Sequence, residues 1–256
     1  MSSDSDSSSN CLGGMDFMFD SQQPTIIQTY NFPPSIKISM NVIDDDPGAV
    51  ISGHYLWPAS HLMGRYLTEE EGIQIFLKTK PKNIIELGAG CGMSGLVAGQ
   101  VWGDAELTFT DYDFGVLTRC ESNRDETLKS ASSPGLINAK FVNLEWGDSE
   151  VCAVLGKFDL ILGSDVIYSA AIVTQLMKTV NDLIADDNGV FIMTQSFVYD
   201  KETEDAIEKE RKAMKIEKEV VVDAWSGIGE VEVLEKYGIA GEQKGKITIF
   251  RRARIL

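Results

Sequence analysis

The stretch "IKISMNV" from Ile36 alternates apolar and polar residues like a half-buried strand. "DDDPG", Asp44 to Gly48, reads as a turn and "AVISGHYLW" as a returning strand, which predicts a β-hairpin. The period then changes. In "PASHLMGRYL", Leu62, Met63, Tyr66 and Leu67 share one helical face, and Pro58 suits a first turn. Beyond it, "NIIEL", "ELTFTD", "AKFVNLEW", "FDLILGSD", "GVFIMTQS", "EKEVVVDAW" and "KITIFRR" read as strands. "MSGLVAGQVW", "FGVLTRCESNRDETL", "AAIVTQLMKTVNDLIA" and "KETEDAIEKERKAMK" read as helices between them. Strands regularly separated by helices predict an α/β, Rossmann-like fold. Its seven-stranded, mostly parallel sheet carries helices on both faces and is preceded by the N-terminal hairpin. The Ser- and Asp-rich residues 1–23 are expected to be disordered, 24–57 to carry the hairpin, and 58–256 to form the main domain.

Composition narrows the function classes. With 256 residues, 43% of them hydrophobic, the chain can bury the core of one large domain. A net charge of -16 weighs against a polyanionic partner such as nucleic acid and suits a basic one, although an acidic surface also serves plain solubility. Cys11, Cys91, Cys120 and Cys152 show no C-x-x-C spacing, which argues against zinc or a disulfide framework and for a reducing compartment. Only His54 and His61 are available to a histidine metal centre, so no metal is expected. The acidic N-terminus is unlike a signal or transit peptide, and no apolar run is long enough to span a bilayer. These features predict a monomer in the cytoplasm, with the nucleus also open to it, and no membrane association.

The chemistry gathers at the strand ends, where an open α/β sheet binds its ligand. "NIIELGAGCGMSG" contains a literal G-x-G-x-x-G, Gly90 to Gly95, the pattern of a dinucleotide turn. Glu86 lies just upstream; Asp111 ends the next strand; Glu145 and Asp148 follow the third and Asp165 the fourth. A pyrophosphate would meet these carboxylates with no evident compensating base. S-adenosylmethionine carries no phosphate and presents two cations, a sulfonium and an ammonium, together with a ribose that Asp111 suits. Charge complementarity therefore favours S-adenosylmethionine over NAD, with the working unit running from Glu86 to Gly90.

Five ordered blocks support the same reading: "LWPAS", "ELGAGCGMSGLVAG", "TDYD", "LEWGD" and "FDLILGSDVIY". Together they resemble the seven-β-strand methyltransferases, in particular the methyltransferase-like protein-lysine methyltransferases of the nicotinamide N-methyltransferase-like family. The similarity spans roughly Val50 to Arg251; the N-terminal segment and "SASSPG" at Ser130 to Gly135 match nothing in it. The resemblance implies that Trp57 lines the cofactor pocket and that Gly88, Ala89 and Gly90 contact the aminoacyl portion. It further implies that Asp111 binds the ribose, Trp146 packs near the adenine and Ser164 lies beside the cofactor. Asp165 and Tyr168, the Asp-x-x-Tyr pair, would border the channel for the target amine.

The implied activity is methyl transfer from S-adenosylmethionine to a lysine of a protein substrate. Other readings stay open: a small-molecule N-methyltransferase, a non-catalytic interaction module of the same fold, and an NAD-dependent oxidoreductase. A DNA amino-methylating enzyme is disfavoured, because Asp165-Val166-Ile167-Tyr168 stands where such enzymes carry an N-P-P-Tyr or D-P-P-Tyr box. Single residues have plainer readings too. Trp57 and Trp146 suit a core, Asp165 suits the N-cap of a helix starting near Tyr168, and Tyr168 suits simple packing. His54 and His61 suit structural or surface roles, and Cys91 suits a small filler of the turn.

Overall fold

The computed structural model describes residues 25–43, 53–69, 79–131, 133–222 and 245–252. Strands β1 (Thr25–Phe32) and β2 (Ile36–Ile43) form an antiparallel hairpin with Phe32 opposite Ile36. The expected hairpin is therefore present, but its pairing differs. Ile36–Ile43 pairs with the segment before it, around the turn at Pro33 and Pro34. Residues 53–57, expected to be strand, run as turn and irregular chain, and 44–52 lie outside the described residues. Alternation marked β2 as half-buried but carried no information about its partner.

Helix α1 (Pro58–Thr68) leads to the main sheet. Strands β3 (Asn83–Leu87), β4 (Glu106–Asp111) and β5 (Lys140–Asn143) alternate with α2 (Met93–Val101) and α3 (Phe114–Leu128). A short helix α4 (Pro134–Ile137), which begins at the end of the stretch that matched nothing, precedes β5, and α5 (Ser149–Leu155) follows it. Then come β6 (Leu160–Ser164), α6 (Val173–Leu183), β7 (Val190–Gln195), α7 (Lys201–Ala213), β8 (Ile216–Val222) and β9 (Lys246–Arg252). The seven strands lie in the order β5-β4-β3-β6-β7-β9-β8. Neighbours pair in parallel from β5 to β7, whereas β9 is antiparallel to both β7 and β8. Chain order reverses between β3 and β6, which opens a crevice at their carboxyl ends. Among the described residues, no helix is long and apolar enough to cross a membrane.

The unbroken apolar runs of the central strands follow from burial on both faces. Successive side chains point to opposite sides of a strand. Ile84, Leu160, Leu162, Ile192 and Ile249 thus join the core under α1, α2 and the hairpin. Ile85, Ile161, Phe191 and Phe250 enter the core under α6 and α7. The hairpin is bound in by polar contacts as well. Asn123 on α3, fully buried, accepts from Asn41 N–H (2.8 Å) and donates to the Cys91 carbonyl (2.9 Å). Thr127 Oγ1 donates to the Ser39 carbonyl at 2.9 Å. His61 of α1 is packed edge-on against Tyr30, and burial lowers its pKa to about 4, a neutral core histidine.

Glu86 corrects an expectation. Its carboxyl group does not reach the crevice; it is buried on the α2 side, where Oε2 accepts from Gly95 N–H at 2.9 Å. A Cβ at Gly95 would stand 2.8 Å from that oxygen and 2.3 Å from Phe109 Cε1, so this glycine makes room for both. Burial raises the Glu86 pKa to about 8, with the Gly95 and Ser94 hydrogen bonds opposing the rise.

Two stability predictions follow from these contacts. Asn123→Ala strands a part-buried N–H and a buried carbonyl, at about 1–3 kcal/mol each, so urea unfolding should show a loss of about 2–6 kcal/mol. Native Glu86 keeps its proton to about pH 8, whereas the unfolded carboxyl loses it near its ordinary value of 4.5. The wild-type chain therefore loses stability as pH rises across that window. Glu86→Gln has no proton to lose, so its stability relative to wild type should improve between pH 5 and pH 8. Parallel pH profiles for the two proteins would rule this assignment out.

Candidate active site

The crevice between β3 and β6 opens into a cavity of about 670 Å³. Trp57, Gly88, Gly90, Asp111, Trp146, Ser164, Asp165 and Tyr168 all line it. Ala89, the remaining sequence-assigned residue, does not; it is buried, and its N–H donates to the Thr110 carbonyl at 2.8 Å. The parallel register that sets Leu87 beside Thr110 makes this bond and ties the glycine turn to the next strand.

The turn needs its glycines for position. Gly88 and Gly90 have φ of 59° and 54°, in the left-handed region that disfavours side chains. A Cβ at Gly88 would approach Trp146 Cζ2 to 3.1 Å, and one at Gly90 would approach the Gly53 carbonyl to 3.2 Å. Both glycines line the cavity, so a ligand can meet the main chain there. Cys91, next in the chain, turns inward, as a filler of the turn should. Its Sγ lies 3.3 Å from the His54 carbonyl, and burial pushes its thiol pKa up to about 12.

Asp111 ends β4 with its side chain at the cavity. Oδ2 accepts from Gly90 N–H at 3.1 Å and Oδ1 from Asp113 N–H at 3.2 Å. Burial raises its pKa and these backbone donors oppose the rise. Trp146 lies over Gly88 as the opposing wall, carried by the loop after β5. Ser164 Oγ, at the end of β6, sits 2.9 Å from Ser94 Oγ and 3.1 Å from Thr194 Oγ1.

Asp165 adopts a left-handed backbone (φ 52°), and its N–H donates to the Thr194 carbonyl at 2.9 Å. It keeps some surface in the cavity although its carboxyl group is surrounded by protein. Burial raises the pKa to about 6, against hydrogen bonds from Ser196 and Ala59. The helical-cap alternative does not hold. The following helix starts with a 3-10 turn at Ala170–Ile172, and the Asp165 carboxylate points to α1 and β7 instead. Tyr168 is 53% exposed at the cavity mouth, not packed in the core.

Not every acidic strand-end residue faces the ligand space. Asp111, Glu145 and Asp165 line the cavity, joined by Asp113. Asp148 caps α5 through Glu150 and Val151 N–H, and Glu86 lies beneath the turn. Among the described residues, no Lys or Arg lines the cavity. His54, expected to be structural or on the surface, does line it, and its Nδ1 accepts from Arg119 Nε–H at 3.1 Å. Tyr112, Gln175 and Phe197 also line it without having been singled out. Tyr112 was signalled by its place after Asp111. Gln175 and Phe197 come from remote segments and carry no local pattern.

The lysine methyltransferase family matches this chain over residues 39–212. Over 148 residues the chain is 31% identical to the protein N-lysine methyltransferase METTL21A of Mus musculus, covering 58% of this chain and 62% of that protein. Over 152 residues it is 30% identical to the protein N-terminal and lysine N-methyltransferase EFM7 of Cryptococcus neoformans, covering 57% and 46%. The chain thus spans less than two thirds of the length of these relatives. Among solved structures, a precorrin-6y C5,15-methyltransferase from Geobacter metallireducens superposes with a TM-score of 0.54 at 12% identity, covering 82% of this chain and 97% of that one. That likeness concerns the fold alone. The family match takes in α1, the glycine turn, Asp111, Trp146, Asp165 and Tyr168, the same parts that converge on the cavity. By that match, the chain belongs to the lysine methyltransferase family.

Proposed function

We propose that the protein transfers a methyl group from S-adenosylmethionine to the side-chain amine of a lysine in a protein substrate. The observation that carries this reading is the cavity lining. Four carboxylates, Asp111, Asp113, Glu145 and Asp165, meet an open glycine backbone, and no described Lys or Arg faces them. Such a site suits cations and opposes a pyrophosphate.

The residues present fit the cofactor. Gly88 and Gly90 line the cavity with backbone alone, which an aminoacyl group could approach closely. Asp111 is fixed by two backbone donors and would accept from the ribose hydroxyls. Trp57 and Trp146 supply flat apolar walls, and Ser164 a hydroxyl at the end of β6. When bound, the cofactor supplies an electrophilic methyl group on a sulfonium.

The protein's part is to bring a neutral amine into line with that group, so positioning carries much of the work. A free lysine has a pKa of about 10.4 and arrives as an ammonium. With a pKa near 6, Asp165 is an anion at neutral pH and attracts that ammonium. The same charge raises the pKa of the amine, so Asp165 captures and aims it while the proton leaves to water. Desolvation between Tyr168 and Trp57 favours the neutral amine. The overall charge of -16 favours a basic protein segment over a nucleic acid.

Isothermal titration should show S-adenosylhomocysteine binding to the wild-type protein, with affinity reduced at least about tenfold in Asp111→Ala, the loss expected for charge-assisted hydrogen bonds. Tight NAD binding with no binding of S-adenosylhomocysteine would refute the reading. Incubation with labelled S-adenosylmethionine and cell lysate should label protein lysines, identified by mass spectrometry. Asp165→Ala should abolish that label and leave cofactor affinity largely intact; retention of label would remove Asp165 from its role.

A further inference from the structure

Asp165 is held by an arrangement that the methyl-transfer reading does not by itself require. Its Oδ1 accepts from Ser196 N–H at 2.7 Å. Its Oδ2 accepts from Ser196 Oγ–H at 2.7 Å and from Ala59 N–H at 3.2 Å. A carboxylate offers about four acceptor positions. Three are taken, and the one left belongs to Oδ1.

The donors come from two walls of the cavity. Ala59 is in the first turn of α1, two residues after Trp57; Ser196 follows β7 and immediately precedes Phe197. Trp57 and Phe197 both line the cavity. The Ala59 carbonyl is also engaged, accepting from Thr194 Oγ1 at 2.9 Å, so both polar groups of this peptide are bound to the β6 and β7 ends. Gln195 Nε2 donates to the Phe197 carbonyl at 2.8 Å and closes the turn that carries Ser196.

We propose that Ser196 is a positioning residue for methyl transfer. Its N–H and O–H keep Asp165 an oriented anion with one acceptor position left, and they tie the Phe197 wall to it as Ala59 N–H ties the Trp57 wall. The proposal rests on the reading of Asp165 as the group that meets the target amine. Among the described residues, the carboxylate accepts from a backbone N–H of α1 and, at the β7 exit, from Ser196. Tyr199 is the titratable neighbour: its buried hydroxyl lacks a partner among the described residues, and burial first, then the Asp165 charge, raises its pKa. Among the described residues no Lys, Arg or His shifts Asp165, and the hydrogen bonds from Ser196 and Ala59 offset its burial.

The test is a carboxyl-carbon NMR titration of the ligand-free protein with ¹³C-labelled aspartate, the Asp165 signal being identified by its loss in Asp165→Asn. In wild type the signal should titrate near pH 6. Ser196→Ala removes the hydroxyl donor and should raise that midpoint by about one unit, the scale of one hydrogen bond to a charged group. Ser196→Thr keeps the donor and should stay within a few tenths of a unit of wild type. Methyl transfer to lysate proteins by Ser196→Ala should then fall towards about one-tenth of the wild-type rate below pH 6 and approach it at pH 8.5, the consequence of the same one-unit shift. An unmoved midpoint in Ser196→Ala overturns the proposal, as does a rate loss that is uniform with pH. If the wild-type protein transfers no methyl group, the proposed function fails instead, and the titration still decides whether Ser196 governs Asp165.

Discussion

The glycine turn after β3 depends on two buried acidic side chains, a protonated Glu86 and Asp111, that grip it from opposite sides. Glu86 accepts the Gly95 N–H beneath the turn, and Asp111 accepts the Gly90 N–H at its cavity edge. The parallel pairing of β3 with β4 adds the bond from Ala89 N–H to Thr110, and Thr110 Oγ1 returns a bond to the Glu86 carbonyl. A turn with left-handed glycines has wide conformational freedom, and these contacts remove it. The orientation of Gly88 and Gly90 towards the cavity, and the place of Asp111 beside them, both derive from that grip.

A second set of contacts fixes the opposite side. Ser94, Ser164 and Thr194 form a hydroxyl chain that runs from α2 through β6 to β7, and Thr194 continues it to α1 at Ala59. Asp165 closes the arrangement by accepting from Ala59 and Ser196. Buried hydrogen-bond networks of this kind are specific because a missing partner is costly. The hairpin supports α1 from behind through Tyr30 against His61 and through Phe32, which fills the space that Gly64 leaves without a side chain. The N-terminal strands thus bear on the cavity by way of Trp57 and Ala59.

The extent to which this was legible varied with the physics of each element. The segments "NIIEL", "ELTFTD" and "FGVLTRCESNRDETL" coincide with β3, β4 and α3, because burial imposes a clear apolar run or period on each. Helices α4 and α5 went unseen; both are short, and capping by Ser133 and Asp148 rather than a long apolar face defines their starts. The hairpin partner was misplaced, since alternation in β2 fits any neighbouring strand. Glu86 was drawn towards the ligand because chain proximity to the turn does not say which face of β3 a residue occupies. Asp165 looked like a helix cap by spacing, and its true partners lie 31 and 106 positions away in the chain.

By itself the sequence determined the α/β class, the switch-point location of the site and part of its lining. Each of these rests on local patterns: periodicity, glycines at a strand-to-helix turn, and acidic residues at strand ends. Only the tertiary structure decided which carboxylates meet the cavity and which are spent on holding backbone. It also decided that His54 and Phe197 line the cavity and that Ser196 bonds Asp165. Those outcomes depend on the strand order β3-β6-β7 and on α1 docking over the strand ends. Contacts between residues remote in the chain leave no mark on local hydrophobic pattern, because a buried hydrogen bond constrains the two groups it joins and not the residues between them.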